Sequence, residues 1–219
     1  MAPVLELEKV SAGYAGRTVL REIDLTILPG ERIAVMGRSG AGKSTLLNLV
    51  HERIGDKVAL IPQAAALVKT LSVYHNVYMG RLDRHATSYN LCNLVWPRRS
   101  DLAEIEALLD LVDLREKIFA KAGSLSGGQQ QRTSVARAFY NSRSVVIGDE
   151  PVSSLDRTQA TDILTKLCSR HETSILALHD IPLALSHATR VIVIEHGAIA
   201  LDAGSQELKA ADLVPYFAG

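Results

Sequence analysis

The chain has 219 residues, 47% of them hydrophobic and 22% charged, enough for one globular domain, or one domain carrying a lobe, around a sizeable core. Lys plus Arg equals Asp plus Glu at 24 each, so bulk charge gives no argument for a nucleic-acid partner, and none is expected. Two distant cysteines, Cys92 and Cys168, with no C-x-x-C and no metal spacing, point to a reduced, cytosolic setting rather than a disulfide framework.

The start, "MAPVLELEKV", lacks a basic segment followed by an apolar one and predicts no signal peptide; no apolar run reaches the length of a membrane-spanning helix. "VLELEKV" and "RTVLREIDLTIL" alternate apolar and polar residues, which predicts strands, and Pro29-Gly30 reads as a turn. "RIAVMG" is a short apolar strand that runs through a glycine loop into the helix "KSTLLNLVHERI". "KVALIP" predicts a further buried strand. From Gln63 to Gly123 strands are hard to find and "DLAEIEALLDLVDL" has a helical apolar period, so residues 64–124 are expected to form a helical lobe inserted into an α/β core. The core then resumes with a helix near Ser126–Ser142, strand "SVVIGDE", helix "RTQATDILTKLCSRH", strand "SILALH", helix "IPLALSHAT" and strand "RVIVIEHG". Short buried strands alternating with helices predict a mainly parallel sheet covered on both faces.

Two stretches on this frame carry chemistry by themselves. "GRSGAGKST" is Gly37, Arg38, Ser39, Gly40, Ala41, Gly42, Lys43, Ser44 and Thr45; it fits G-x-x-x-x-G-K-[ST] between a strand and a helix, the context a phosphate-binding loop requires. Glycines let the backbone wrap phosphates, the helix N-terminus adds positive potential, Lys43 is placed to reach β- and γ-phosphates, and the Ser44 hydroxyl to bind Mg2+. "SVVIGDEP" ends an apolar strand with Asp149, which fits an acid that holds Mg2+, and Glu150, which fits a group that orients or deprotonates an attacking water. Neighbours on a strand face opposite ways, so the two acids need not share a task.

A third stretch, "LSGGQQQR" at Leu125–Arg132, explains the rest. With Tyr14, the phosphate loop, Gln63, "VVIGDEP", "SSLD" and His179 in the same order, the chain resembles the ATP-binding-cassette (ABC) ATPases over nearly its whole length. The resemblance implies an α/β P-loop NTPase core and ATP with Mg2+ as cofactors. It implies a second copy of the chain, packed head to tail, so that Ser126, Gly127, Gly128 and Gln129 of one copy face the ATP held by the other. It implies that Tyr14 stacks on adenine, that Gln63 senses Mg2+ and the γ-phosphate, that His179 contacts the γ-phosphate and positions water, and that Asp156 signals across the dimer. Only about 20 positions separate Lys43 from Gln63, fewer than the family places there, although a crossover needs only about 10–12. A reduced antiparallel β part is therefore expected.

The interval from Gln63 to Leu125 suits a compact lobe and not a long coiled coil, and "TLSVYHNVYMGRL" resembles the surface on which such cassettes receive a membrane permease. Leu67–Leu94 resembles the phosphonate-import ATPases, which implies import of a phosphonate or related oxyanion through a permease and an external solute-binding protein, with this chain cytoplasmic at the inner face of the membrane. The bland reading of its arginines, Arg81 and Arg84, is a solvated face. An exporter subunit and a soluble, non-transport ABC ATPase are the competing readings.

Overall fold

The alternating residues at the start of the chain form a hairpin, β1 (Leu5–Tyr14) and β2 (Arg17–Ile27), antiparallel from Leu5↔Ile27 to Tyr14↔Arg17. One face of it buries Leu5, Leu7, Leu20, Ile23, Leu25 and Ile27. The computed structural model describes residues 2–14 and 16–217. β3 (Arg32–Met36) leads through the glycine loop to α1 (Lys43–Ile54), and β4 (Val58–Ile61) follows. Then come α2 (Val73–Tyr78), α3 (Thr87–Val95), α4 (Arg99–Asp110) and α5 (Gly127–Asn141). The core resumes with β5 (Val145–Asp149), α6 (Arg157–Arg170), β6 (Thr173–Ala177), α7 (Ile181–His187), β7 (Arg190–Glu195), β8 (Ala198–Gly204) and the short α8 (Ala210–Leu213).

Six strands form one sheet in the order β4-β5-β6-β3-β7-β8, and the first five are parallel. Their C-terminal ends therefore share one edge, where α/β sheets bind ligands. α1 carries the chain from β3 to β4, past β6 and β5. Three strand spacings amount to roughly 14 Å, and a helix of 12 residues is about 18 Å long. The short segment between Lys43 and Gln63 is thus sufficient for the crossover. β4 is the one strand it contains, so the separate antiparallel sheet is the β1–β2 hairpin alone.

The sheet divides the core in two. On one face α1 sets Leu46, Leu47, Leu49 and Val50 against Ile33, Val35, Ile147 and the hairpin. Each such side chain contributes about 2 kcal/mol by leaving water. On the other face Val135, Ala136 and Phe139 of α5, Ile163, Leu164 and Leu167 of α6 and Leu183 of α7 cover Ala34, Val146 and Val191.

Between β4 and α5 the chain is helical, apart from an isolated bridge between Ser72 and Lys121. The helices there close around a buried carboxylate. Asp101, 7% exposed, accepts hydrogen bonds from Tyr89 Oη at 2.9 Å, Tyr140 Oη at 3.3 Å and Asn93 Nδ2 at 3.3 Å. Arg81 is not part of a free solvated strip. Its guanidinium forks onto Glu104 at 2.8 and 2.7 Å and lies over the Tyr140 ring, while Arg84 donates to the Asn141 carbonyl.

Three details differ from the sequence expectation. β8 follows β7 through the His196-Gly197 turn and pairs antiparallel with it, a strand absent from the sequence reading. β6 ends at Ala177, so His179 stands in the loop beyond the strand rather than on its last position. β4 ends at Ile61, and Gln63 lies exposed in the turn that follows.

Candidate active site

Each chemical group of the site is placed by the end of a parallel strand. Gly37 leaves β3 at φ 133°, and a Cβ there would lie 2.2 Å from the Ile194 carbonyl oxygen; no other residue fits this first turn of the loop. Gly42, at φ 113°, starts α1 with no side-chain cap and no acid in the first turn. The N–H groups of that turn are left for an anion, and the helix dipole adds its positive end. Ser44 is exposed at this point and Thr45 half-buried.

Lys43 is 6% exposed, and its ammonium donates to the carbonyls of Gly37 at 2.8 Å and Arg38 at 3.0 Å. Burial pushes its pKa below the usual lysine value, and the nearby charges of Glu150 and Asp149 partly offset this. The lysine therefore rests on the loop it serves, facing both acids.

Asp149 ends β5, the second strand from β3, and Glu150 follows it. Asp149 Oδ1 is buried with no hydrogen-bond partner in the protein. A buried carboxylate oxygen left open is what a hard cation needs. Asp149 and the Ser44 hydroxyl are oxygen donors of the kind Mg2+ takes. No group of three or more His, Cys, Asp or Glu among the described residues makes a metal cage of protein alone. Glu150 sits at φ 53°, a left-handed conformation costing about 1 kcal/mol for a non-glycine residue. His179 Nε2 donates to its Oε1.

A cavity of about 700 Å³ runs outward from the phosphate loop to Tyr14. Arg38, Ser39, Gly40 and Ala41 line one end, and Tyr14, 68% exposed, stands at its wall. Tyr14 and the loop are thus brought together as expected. The cavity also gathers Arg17 and Arg21 of β2, Glu195 and His196 of the β7–β8 turn, and Tyr216. None of these five was picked out from the sequence. The period-2 spacing of Arg17 and Arg21 on a strand was the available signal for two of them. His196, Glu195 and Tyr216 come from the far end of the chain and carry no local signal.

Gln63 is not among the residues lining this cavity. It lies beyond β4 at the sheet margin, three strands or roughly 14 Å from the line of β3. Asp156 caps α6, its Oδ1 accepting from Gln159 N at 3.0 Å.

The signature stretch starts α5. Ser126 and Gln129 form a capping box, Ser126 Oγ accepting from Gln129 N at 3.3 Å and Gln129 Oε1 from Ser126 N at 3.0 Å. Gly128 packs tightly, since a Cβ there would lie 2.9 Å from the Ser154 carbonyl oxygen. No residue from 126 to 129 is among those lining the nucleotide-sized cavity.

Comparison with known proteins agrees with this arrangement. A family model described as ABC transporter matches residues 20–56 and 50–153. The phosphonates import ATP-binding protein PhnC 1 of Pseudomonas savastanoi pv. phaseolicola is 34% identical over 222 residues, covering 88% of this chain and 83% of that protein. PhnC of Shouchella clausii is 36% identical over 229 residues, covering 91% and 85%. Among solved structures, the dimeric bacterial ABC transporter cassette MJ0796 superposes with a TM-score of 0.79 at 22% identity, covering 91% of this chain and 98% of that one. A nucleotide-free ATP-binding cassette from an ABC transporter covers all of both chains with a TM-score of 0.78 at 19% identity. The structural likenesses establish the fold, and the sequence matches establish the kinship: the chain belongs to the ABC transporter family, among its ATP-hydrolysing ATP-binding subunits.

Proposed function

We propose that this chain powers an importer, that it acts as a head-to-tail pair of copies bound to membrane permease subunits, and that the cargo is a phosphonate or a related phosphorus oxyanion delivered by an external solute-binding protein. The observation that carries the cargo is the naming of relatives 34–36% identical over about nine-tenths of the chain as phosphonates import proteins. A cassette does not touch the solute, so this part of the reading rests on kinship. The chain itself has no helix, among the described residues, long and apolar enough to cross a membrane. Its place at the cytoplasmic face follows from the permease it is proposed to join.

The roles we assign follow the resemblance of these residues to the family's motifs. Tyr14 stacks on the base, and the loop from Gly37 to Thr45 takes the phosphates on its N–H groups. Lys43 exchanges two loop carbonyls for β- and γ-phosphate oxygens. Ser44 and Asp149 would hold Mg2+, joined by Gln63 when the site closes, and the ion would neutralise charge on the phosphate oxygens. Glu150 orients the attacking water and takes its proton, while His179 fixes the Glu150 carboxylate and faces the γ-phosphate. Ser126, Gly127, Gly128 and Gln129 of the second copy close the site with a helix N-terminus, and Asp156 senses that closure. The helical lobe, residues 64–124, moves with the signature as the site opens and closes, which turns chemistry into motion.

Uptake by cells lacking this chain tests the cargo. Labelled phosphonate, phosphite and phosphate are offered separately, with wild type and the Glu150→Gln variant returned on plasmids. Loss of one uptake, restored by wild type and not by the variant, is the expected result. Unchanged uptake of all three removes the phosphorus assignment and reopens export.

A further inference from the structure

We propose that Gln131 is a positioning residue that locks Glu150 and the loop after it to the helix whose first turn is the signature, so that any movement of α5 is felt at the chain's own hydrolytic carboxylate. The proposal rests on the role assigned to Glu150 above.

Gln131 lies in the second turn of α5 and is 6% exposed. Its amide is used at both ends. Nε2 donates to the Glu150 carbonyl at 2.6 Å and to Ser153 Oγ at 3.3 Å, and Oε1 accepts from Ser154 N at 2.8 Å. One side chain thus spans the turn from Glu150 to Ser154. Apart from it, the Glu150 carbonyl has, among the described residues, only a long bond from Ser153 N, at 3.3 Å. Glu150 is left-handed at φ 53°, so its backbone has an ordinary conformation to relax into once the anchor is gone. That relaxation would re-aim the carboxylate that His179 now holds.

Gly128 and Gln131 are three residues apart and share one face of the helix. Gly128 lets the Ser154 carbonyl approach, as the close Cβ distance there requires, and Gln131 ties the same loop down. The first turn of α5 and the Glu150 loop are therefore one packed unit. Two turns farther on, Arg137 donates to the Ala65 and Ala66 carbonyls, both at 2.9 Å, in the turn just past Gln63. α5 also packs on α2 and α4 of the lobe and on β4 of the core. The helix thus touches both the Glu150 loop and the turn after Gln63, and bears the lobe as well. A neutral primary amide donates to Glu150 and accepts from Ser154 at once; an ionised carboxylate cannot donate, and a thioether cannot donate and accepts only weakly.

The test uses the purified full chain with Gln131→Met and Gln131→Glu, read as kcat, KM and Kd for ATP, melting temperature and circular dichroism, beside wild type and Glu150→Gln. Both variants are expected to bind ATP within about twofold of wild type and to lose kcat by on the order of 100-fold, the effect of misplacing a reacting group by about an ångström. If kcat per folded molecule stays within about twofold of wild type in both, the proposal is overturned. It is equally overturned if ATP affinity and melting temperature fall in step with kcat, since that is the mark of general destabilisation. Undiminished hydrolysis by Glu150→Gln, with the Gln131 variants still impaired, would instead remove the role of Glu150.

Discussion

Lys43→Ala isolates the central electrostatic element of the nucleotide site. The Lys43 ammonium is not a hydrated charge waiting in solvent. It is almost fully buried and donates to two neutral carbonyls, at 2.8 and 3.0 Å. In the role proposed for Lys43, binding ATP exchanges these for two bonds to anionic oxygens. A hydrogen bond from a charged group is worth about 1.5–3 kcal/mol, with neutral acceptors at the lower end and anions at the upper. The exchange therefore yields about 1.5 kcal/mol per bond, or about 3 kcal/mol in all. Losing it raises Kd about 100-fold. Titration with ATP and Mg2+ by calorimetry reads that value directly, and Lys43→Met, which keeps most of the buried stem, separates charge from packing. If either variant binds within about threefold of wild type, the exchange is not where the affinity lies. If melting temperature falls sharply while Kd holds, the lysine is a brace for the loop and the reasoning is wrong.

The remaining expectations are brief. Glu150→Gln should bind ATP, turn over at less than about one-hundredth of the wild-type rate, and run as a dimer in ATP by size exclusion; a monomer under those conditions, or normal turnover, contradicts the role given to Glu150. Asp101→Ala leaves three donors, on half-buried Tyr89 and on buried Tyr140 and Asn93, without their acceptor; at about 1 kcal/mol each the melting temperature should drop by about 8 °C, and an unchanged melting curve would show that the network carries no stability. Burial holds the pKa of His171 below its ordinary value while the ring stays bonded to the Arg143 carbonyl. The unfolded chain then binds the proton more readily, so stability is full above about pH 6.5 and falls as the pH drops below it. Urea unfolding from pH 7.5 to 5.5 should show a steeper loss in wild type than in His171→Gln, and equal slopes would place the acid sensitivity elsewhere.

What the sequence made legible was whatever phosphate chemistry confines to a few neighbouring positions. The loop from Gly37 to Thr45 needs its glycines and lysine in fixed order, and α1 begins at Lys43 and ends at Ile54 as the pattern indicates, bounded by Gly42 and Gly55. Asp149 and Glu150 stood out because two acids directly follow the apolar "VVIG". The rest is hidden where partners are distant. β8, "AIALDAG", is half-exposed along its length and too rich in alanine and glycine to declare itself a strand. The outer cavity joins β2 to residues 194–197 and Tyr216, and nothing local marks such a meeting. Arg81 and Arg84 show a different limit: the sequence does not say that Arg81 is half-buried against Glu104 and the Tyr140 ring while Arg84 stays exposed and bonds the Asn141 carbonyl.

The signature shows why one chain's fold and one chain's chemistry do not coincide. The side chains of Ser126 and Gln129 bind each other's backbone N–H groups, and Gly128 is committed to its own Ser154 loop. What this helix start has left to offer is main-chain N–H and the positive end of a dipole, presented at exposed Ser126 and Gly127. Such an end suits a phosphate, yet the cavity built by the phosphate loop and Tyr14 includes none of these residues. If the signature is to meet a γ-phosphate in this arrangement, the phosphate must arrive on another copy. By symmetry that copy's signature then meets the ATP held here. In the pair of copies proposed above the two sites would then close together, and each hydrolysis would be tied to a relative movement of two whole cassettes.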